Sequence, residues 1–334
     1  MTTESRRAAL PVFTATDDAF HEVGDRWWAT ETAWFSFSVP ELRLGGWLYT
    51  LARPNIGIVQ GGAWVWDDSA WAPWEVLYCR NHSATALDPG TDLRHARLRT
   101  GVEIDVIEPA MAYRIGYSDP GRLEADLRVQ GVHPPVAYAA GRPPFLSASH
   151  FDQTCRVTGS VVLHGERIAV DCLSVRDRSW GPRPETRPRR LAYCFGTVSE
   201  ADAFFVTTSP VPDGSDRVDH GYLIRDGVTR RVIAGDRRVQ RDPGSGWVRA
   251  ETISGADEAG NTFRATGEPV SHTAVNRHTA VTWTYLMKWR LDGRPAWGED
   301  QDMWPVADWA AFRRSARRTD DCIDRESKEF RCPK

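Results

Sequence analysis

The most unusual chemistry of this sequence lies in residues 174–183, which read Ser-Val-Arg-Asp-Arg-Ser-Trp-Gly-Pro-Arg. Asp177 stands between two arginines, which favour its ionised form, and Arg183 adds further positive charge. Trp180 supplies an aromatic wall beside these charges. We expect either a polar cluster at the mouth of a pocket, where Asp177 positions a substrate or moves a proton, or a buried network that pins a domain junction.

A second candidate is the acidic run at residues 297–304, Trp-Gly-Glu-Asp-Gln-Asp-Met-Trp. Glu299, Asp300 and Asp302 are close in sequence, and like charges at short distance raise the pKa of a carboxyl group. One of these carboxyls could therefore be a general acid. The same run could equally be a solvated loop that caps a following helix.

Two tryptophans also precede an acidic turn. Trp64 and Trp66 fall on one face of a strand, and Asp67-Asp68-Ser69 has the composition of a turn. A carboxyl walled by indole rings would have a raised pKa and could protonate an alkene. We favour the simpler interpretation, an ordinary acidic turn with tryptophans packed beneath it.

Two weaker signals involve histidine and arginine. His150 and Asp152 are two residues apart, so both would face one side of a strand and could form a dyad. No serine or cysteine nucleophile motif accompanies them. Arg53, which precedes Pro-Asn, could orient the polar head of a ligand, although a turn is the simpler expectation.

Several classes of function lose support from motifs and charge. The chain holds no Gly-x-Ser-x-Gly, no phosphate-binding loop and no Gly-x-Gly-x-x-Gly, which argues against hydrolases, kinases and dinucleotide-dependent dehydrogenases. The net charge of −3 argues against nucleic acid as a partner. The 6 cysteines form no C-x-x-C pair and no zinc-finger spacing, so we expect no structural metal and no cofactor.

The remaining compositional evidence concerns location and packing. The sequence shows no secretory signal and no run of about 18 apolar residues, so we expect a cytoplasmic protein without a membrane-spanning segment. The cysteines are expected to be small buried side chains, with a Cys322–Cys332 disulfide as a conceivable exception. The 15 tryptophans, against 12 phenylalanines and 8 tyrosines, indicate either aromatic-walled space or large β-sheet cores.

The elements that must position these residues are predominantly strands. Residues 281–291 alternate, with Trp283 and Tyr285 on an apolar face and Thr282 and Lys288 on a polar one. Strands are also predicted at 102–106 and 123–130, and near 33–39, 45–53, 56–66, 74–79, 110–117, 155–163, 168–175, 203–208, 221–225 and 228–234. Asp-Gly and Pro-Gly turns recur between them, so we predict an all-β chain of sandwiches or barrels.

Helix is scarce, and one segment is a candidate domain boundary. A run without glycine or proline from Val306 to about Phe330 predicts a solvated C-terminal helix. The four prolines in residues 131–144 interrupt the strand pattern. We therefore predict an N-terminal β-domain over 1–145, a C-terminal β-domain over 146–305 and a helical tail over 306–334.

Several segments are similar to a known superfamily. They are Glu31-Thr-Ala-Trp-Phe-Ser-Phe-Ser38 with Gly45-Gly-Trp and Arg53-Pro-Asn55, His150-Phe-Asp-Gln with Cys155-Arg-Val-Thr-Gly159, and Val175-Arg-Asp-Arg-Ser-Trp-Gly-Pro-Arg183. Together they resemble the carotenoid 1,2-hydratase (hydroxyneurosporene synthase)-like superfamily, which also includes fungal Diels–Alderases. The resemblance, over about residues 30–305, implies two lipocalin-like β-barrels in tandem. It implies the fold more specifically than the reaction.

The resemblance also extends to the first candidate site. Hydratases of this kind carry Asp-His-x-Trp there, with the histidine thought to assist acid-catalysed addition of water to an alkene. Asp177 and Trp180 match this motif, whereas Arg178 stands at the histidine position. Arginine does not release its proton at neutral pH, so it suits the anchoring of a carbonyl or carboxylate instead. A proton donor would then be another acidic residue, the candidates being Asp302, Glu299 and Asp202.

These observations predict a cofactor-independent enzyme that acts on a hydrophobic isoprenoid, polyene or polyketide-like molecule by acid-type hydration, cyclisation or isomerisation. Asp177, Glu299 and Asp302 are the expected catalytic residues. Asp177 would fix the guanidinium groups of Arg178 and Arg183, and an acidic residue near 299–302 would donate the proton. The expected substrate-binding residues are Arg178, Trp180, Arg183, Arg53, Trp283, Tyr285, Trp64 and Trp66.

Two other functions stay open on the sequence alone. A lipocalin-like barrel could be a non-catalytic carrier or sensor of the same hydrophobic ligand. It could also be a pericyclase, in which shape and hydrogen bonding accelerate a rearrangement without an acid. Either form would be a monomer or a homodimer.

Overall fold

In a computed structural model, which describes residues 13–22, 25–138, 149–183, 189–277 and 279–315, the chain forms two antiparallel β-structures. The strands of the first are β1 (Ala29–Val39), β2 (Leu44–Arg53), β3 (Ile58–Trp66), β4 (Tyr78–Ala86), β5 (His95–Arg97), β6 (Val102–Glu108), β7 (Ala112–Asp119), β8 (Leu123–Gly131), β9 (Val136–Ala137), β10 (Ser149–Leu163) and β11 (Glu166–Pro182). Those of the second are β12 (Leu191–Ser199), β13 (Asp202–Pro210), β14 (Asp216–Arg225), β15 (Val228–Arg241), β16 (Val248–Asp257), β17 (Thr262–Arg277), β18 (Ala280–Leu291) and β19 (Arg294–Pro305). Short 3-10 helices span Ala15–Asp18, Pro40–Leu42 and Pro54–Ile56, and an α-helix over 306–315 follows β19.

The two β-structures differ in closure. β1 to β11 form one sheet, a half-barrel, in the order β4-β3-β2-β1-β11-β10-β8-β7-β6-β5, with β9 paired to β10. β12 to β19 form a closed barrel in which each strand pairs with the next and β19 pairs with β12. Closure leaves the barrel without free sheet edges. The predicted all-β fold with a short C-terminal helix is confirmed.

Alternation along the strands divides the apolar side chains among three cores. β1 sends Phe35 into the half-barrel and Trp34 toward the barrel. β12 sends Cys194 into the barrel and Phe195 toward the half-barrel. The layer between the two, here called the interface, is built from Trp34, Trp47, Tyr49, Trp64, Trp66, Val175, Tyr193, Phe195, Ala203, Phe205, Tyr222, Ile224 and Val275.

The change from one sheet to the other lies between Pro182 and Leu191. β10 and β11, which the boundary predicted at residue 145 assigns to the C-terminal domain, pair with β8 and β1 of the half-barrel. The proline-rich segment therefore lies between strands of a single sheet, since β9 pairs with β10, and its residues 139–144 fall outside the described ranges. The tail beyond residue 315 also falls outside them.

The strand predictions fail at identifiable places. The strand predicted at 74–79 is wrong in its first half, because a turn closed by a 2.9 Å hydrogen bond from Glu75 N to Ala72 O precedes β4. The sequence pattern also does not predict β5, β9, β12, β16, β17 or β19. β12 is buried on both faces, one in the barrel and one in the interface, so its polar and apolar residues do not alternate. β17 carries Pro269 at a β-bulge.

Two expectations from composition concern the cysteines and the absence of a membrane-spanning segment. Cys79, Cys155, Cys172 and Cys194 are free thiols that are buried or half-buried, whereas Cys322 and Cys332 lie outside the described ranges. Among the helices of those ranges, none combines the length and the apolar character that crossing a membrane requires.

Candidate functional site

The half-barrel presents one row of polar side chains to the interface. Asp177 of β11 lies across from Asp152 of β10 on one side and from Trp34 of β1 on the other. His150 lies two residues before Asp152 on the same face of β10, across from Ser179. Both strands alternate regularly here, so these side chains share one face of the sheet.

The barrel wall presents the facing row. Tyr193 of β12 lies across from Gln301 of β19 and from Thr207 of β13. Thr207 in turn lies across from His220 of β14. The alternation that turns Cys194 into the barrel turns Tyr193 outward, toward the half-barrel.

Four ionisable side chains of these rows form what we call the interface cluster: His150, Asp152, Asp177 and His220. His150 Nε2 lies 3.1 Å from Asp152 Oδ1, and His220 Nε2 lies 3.9 Å from Asp152 Oδ2. One nitrogen or oxygen atom from each of His150, Asp152 and Asp177 lies within 4.8 Å of the other two. The dyad predicted from the spacing of His150 and Asp152 is therefore present, and both residues are buried, with 2% and 1% of their surface exposed.

Tyrosine rings surround the cluster. The ring centroid of Tyr138 lies 4.4 Å from that of His220, and the ring centroid of Tyr193 lies 6.1 Å from that of His150. Burial raises the pKa of Asp152, although the neighbouring His150 opposes this shift. Burial, reinforced by the carboxylates of Asp152 and Asp177, also raises the pKa of Tyr193 well above its ordinary value, so its hydroxyl stays protonated.

Some buried polar atoms of the two rows have no hydrogen-bond partner among the described residues. These atoms are Asp152 Oδ2, Trp34 Nε1 and Thr207 Oγ1. Trp34 is the cross-strand neighbour of Asp177, and Thr207 is that of His220. An unsatisfied buried polar group costs about 1–3 kcal/mol, so a ligand with polar groups would gain by binding between these rows.

Glu299 occupies another part of the interface, two residues before Gln301 on β19. Its Oε1 accepts a hydrogen bond from Ser36 Oγ at 2.7 Å, and its Oε2 accepts one from Trp47 Nε1 at 2.9 Å. Burial raises the pKa of Glu299 to about 7, although the hydrogen bonds from Ser36 and Trp47 oppose the shift. The carboxyl therefore exchanges its proton near neutral pH.

Tryptophans line this part of the interface. The ring of Trp47 packs edge-on against those of Trp34, Trp64 and Trp66, with centroid distances of 5.5, 6.3 and 5.9 Å. Trp64 and Trp66 share a strand face, as their spacing predicts, and both are buried. The Asp67-Asp68-Ser69 segment is a turn in which Ser69 N donates to Asp67 Oδ1 at 2.9 Å, as the simpler interpretation held.

Asp302 lies inside the barrel, on the opposite face of β19 from Glu299. Its Oδ2 lies 2.7 Å from Arg241 Nη1. Burial opposes ionisation of Asp302, but the charges of Arg241 and Arg237 outweigh it and lower its pKa to about 2. A carboxylate held ionised in this way is unsuited to the predicted role of proton donor. The alternative of a solvated loop is wrong as well, because the acidic run lies buried within β19.

Trp283 and Tyr285 point into the barrel core, as the alternation of β18 predicts. The ring of Trp283 packs against Trp71, Trp247 and Trp309, with centroid distances of 6.1, 6.0 and 5.1 Å. Tyr285 accepts a hydrogen bond from Val248 N at 3.2 Å. The barrel wall thus separates both residues from the interface cluster.

Arg178 and Trp180 face the inside of the half-barrel. Arg178 Nη1 donates to the backbone oxygen of Thr32 at 2.9 Å, and its Nη2 donates to Glu31 Oε2 at 2.5 Å. Trp180 stacks on His21 with a centroid distance of 4.2 Å. The prediction that Asp177 fixes the guanidinium of Arg178 is wrong, because neighbours along a strand point to opposite faces.

The other predicted residues lie at strand ends. Arg183 follows β11, is half-buried, and donates to Ser179 Oγ at 3.3 Å. Arg53 ends β2, and its guanidinium lies 5.9 Å from the ring centroid of Trp27. Asp202 begins β13, and its hydrogen bond with Arg294 lowers its pKa, which argues against a role as proton donor.

Sequence reasoning missed three residues around the cluster, namely His220, Tyr138 and Tyr193. Only His220 left a local signal, since Val218, His220 and Tyr222 alternate with Arg217 and Asp219. His220 lies near Asp152 because the barrel packs against the half-barrel, and the spacing of residues along the chain does not reveal this packing.

Comparison with known proteins places the chain by sequence and by fold. Residues 14–305 match the profile of one protein family, described as a domain of unknown function (DUF7064). No curated protein matches the sequence.

Solved structures of similar fold cover most of the chain. A candidate AttH from Nitrosomonas europaea is 15% identical, with a TM-score of 0.59, over 89% of this chain and 96% of its own. Kievitone hydratase from Nectria haematococca is 10% identical, with a TM-score of 0.54, over 89% and 94%. CghA with Sch210972 is 13% identical, with a TM-score of 0.56, over 83% and 88%. These structures share the fold of this chain, as the sequence resemblance implied.

Proposed function

This chain belongs to the DUF7064 family, a domain family of unknown function, and we propose that it is an enzyme that performs acid–base chemistry on a hydrophobic small molecule in the interface. The proposed reaction is hydration, cyclisation or isomerisation of an isoprenoid, polyene or polyketide-like substrate. The observation that supports it is the buried His150–Asp152 pair, with Asp177 across the strand and His220 approaching from the barrel.

The cluster has the groups that proton transfer needs. Asp152 has a raised pKa and lies 3.1 Å from an imidazole nitrogen, so a proton can be held between the two and delivered to a substrate. In this proposal Asp177 keeps its predicted role as a catalytic carboxylate and orients the reacting group. The protonated hydroxyl of Tyr193 can donate to a substrate oxygen.

The aromatic side chains of the interface suit an apolar substrate. Trp34, Trp64 and Trp66 belong to the interface, and indole rings of this kind stabilise a developing carbocation by cation–π attraction. Burial excludes water that would quench such a cation. We retain Trp64, Trp66 and Arg183 as substrate-binding candidates. Arg178 and Trp180 face the inside of the half-barrel and Trp283 and Tyr285 the inside of the barrel, while Arg53 lies against Trp27 at the end of β2.

Glu299 has a different role in this proposal from the predicted one. Both of its oxygens accept hydrogen bonds from the half-barrel while its backbone belongs to the barrel. We assign it to holding the two structures together rather than to catalysis.

The test is incubation with terpenoids, polyenes and polyketide-like dienes in deuterated water, read by mass spectrometry. We expect a deuterated or hydrated product from the wild type. Asp177→Asn and Asp152→Asn should lose roughly 100-fold or more of this activity with the fold intact by circular dichroism. Asp126→Asn is the matched control, because Asp126 is an exposed carboxylate of β8.

Three outcomes would overturn the proposal in different ways. Near-normal turnover in both cluster variants would show that Asp152 and Asp177 are not catalytic. A rearranged product without label would identify a pericyclase. A ligand that is retained without conversion would identify a carrier.

A further inference from the structure

We propose that His150, Asp152, Asp177 and His220 form a binding site for one divalent transition-metal ion, of the Zn²⁺ class, between the half-barrel and the barrel. The inference goes beyond the proposed function, because it concerns binding and holds whether or not the cluster is catalytic. It also departs from the sequence-based expectation of no metal, which rested on cysteine spacing.

The distances within the cluster suit one small ion. Zinc lies about 2.0–2.2 Å from nitrogen and oxygen ligands, so two ligands of one ion are separated by roughly 3–4.4 Å. His150 Nε2 and Asp152 Oδ1 are 3.1 Å apart, and Asp152 Oδ2 and His220 Nε2 are 3.9 Å apart. Asp177 has an oxygen within 4.8 Å of its two neighbours on the half-barrel. His150, Asp152 and Asp177 therefore lie close enough to ligate one ion after side-chain movement, and His220 approaches the same centre through Asp152.

The ligand types favour the same conclusion. Imidazole nitrogen together with carboxylate oxygen is a donor set for zinc, manganese and iron, whereas magnesium and calcium prefer oxygen alone. His150, Asp152 and Asp177 come from β10 and β11, which pair without a break in register, and His220 comes from β14, beside a β-bulge against β13. A site built on such strands is ordered before the ion arrives.

Asp152 supplies an independent observation that indicates a ligand. Its side chain is 99% buried, and its Oδ2 has no hydrogen bond among the described residues. A buried carboxylate oxygen without a donor is costly, and coordination of a cation removes that cost.

The barrel contains a second group of potential metal ligands, and an arginine side chain already contacts two of them. Atoms of Cys194, Glu251 and Asp300 also lie within 4.8 Å of one another. There, however, Arg237 lies 2.6 Å from Glu251 Oε2 and 2.6 Å from Asp300 Oδ2. A guanidinium thus already binds both carboxyl groups, so we expect no ion among them.

The test is titration of the chelator-treated full chain with Co²⁺, followed by visible absorption and by calorimetry. We expect one ion per chain, with the absorption bands of cobalt bound to imidazole. Binding should weaken roughly tenfold or more in Asp152→Asn, His150→Gln and His220→Gln. It should be unchanged in Glu251→Gln and Asp126→Asn. Zn²⁺ should raise the midpoint of thermal unfolding of the wild type, because it binds the folded chain, in which the ligands are brought together, in preference to the unfolded chain.

The results separate this inference from the proposed function. No bound cobalt in the wild type, or binding that survives in Asp152→Asn and disappears in Glu251→Gln, would overturn the metal site. If a cluster variant fails to fold, the wild-type stoichiometry and His220→Gln, which changes only the barrel side, still decide the question. If the wild type keeps its turnover in the presence of chelator while Asp177→Asn is inactive, the enzyme proposal holds and catalysis does not need the metal.

Discussion

The barrel interior and the interface both bury ionisable side chains, but the two regions neutralise charge in different ways. In the barrel, Arg237 pairs with Asp216 at 2.8 Å and with Glu251 and Asp300 at 2.6 Å. Arg241 pairs with Asp302 on the same inner wall. Guanidinium groups stay charged at any physiological pH, and those of Arg241 and Arg237 lower the pKa of Asp302 to about 2, whereas burial raises the pKa of Glu251 to about 8.

In the interface the partners of the carboxylates include imidazoles. Asp152 lies beside His150 and His220, and an imidazole ring can accept a hydrogen bond as well as donate one, whereas a guanidinium only donates. The comparison teaches that burial of charge alone does not identify a reactive site in this chain. The identity of the partner matters as well, since arginine keeps its proton at physiological pH while histidine is able to release one.

The largest expected effect is the loss of stability when Arg237 is removed from the barrel network. Arg237→Met leaves Asp216, Glu251 and Asp300 buried without their shared cation, so we expect a loss of about 3–5 kcal/mol in the free energy of unfolding. Urea unfolding measures it. Arg238→Met is the control, because Arg238 is exposed and its pair with Asp236 should contribute less than about 1 kcal/mol. Equal losses in the two variants would show that the barrel network does not stabilise the fold.

A smaller effect concerns the pH dependence of stability and Glu299, whose carboxyl group joins the barrel to the half-barrel. The pKa of Glu299 is raised from 4.5 to about 7, so between these values the folded chain keeps a proton that the unfolded chain has released. Stability should therefore fall as pH rises through this window, by about 3 kcal/mol at its upper end. Glu299→Gln cannot ionise and should lack this loss. Parallel stability curves for wild type and variant between pH 4.5 and 8 would contradict the assignment.

The smallest expected effect concerns the hydrogen bond that Trp47 donates to Glu299. Trp47 Nε1 donates to Glu299, and this hydrogen bond opposes the raised pKa. Trp47→Phe should therefore raise the pKa further and extend the pH-dependent loss of stability above pH 7, at a cost of about 1 kcal/mol. Trp64→Phe removes a similar volume from the same wall without touching that bond. The measurement is the pH dependence of unfolding, and an identical shift in both variants would assign it to packing.

The period-two patterns predicted the strands in which one face is apolar and the other is polar. This holds for β18, where Trp283 and Tyr285 share the inner face, and for β8. It fails for β19, where acidic residues are buried and the alternation carries no polar face. The cations that make this burial tolerable, such as Arg237, are distant in sequence, so a local pattern cannot reveal them.

The candidate site was predictable only where its residues are neighbours in sequence. His150 and Asp152 belong to one strand, so their spacing predicts that they share a face. Asp177 was recognised from its charged surroundings, but Arg178 and Trp180 beside it were assigned to the same site although they face the other way. His220 and Tyr193 reach the cluster only because the barrel packs against the half-barrel, which depends on long-range contacts.

β12 is a shared wall, with the barrel interior on one side and the interface on the other, and this has a consequence for how such chains can vary. Substitution of Tyr193 or Cys194 changes one compartment at a time. Insertion of a single residue ahead of them would exchange the compartments, burying the phenol among the barrel charges and turning the thiol toward the half-barrel. The same holds for Glu299 and Asp300 on β19. Spacing within these strands should therefore tolerate far less change over evolutionary time than the side chains themselves.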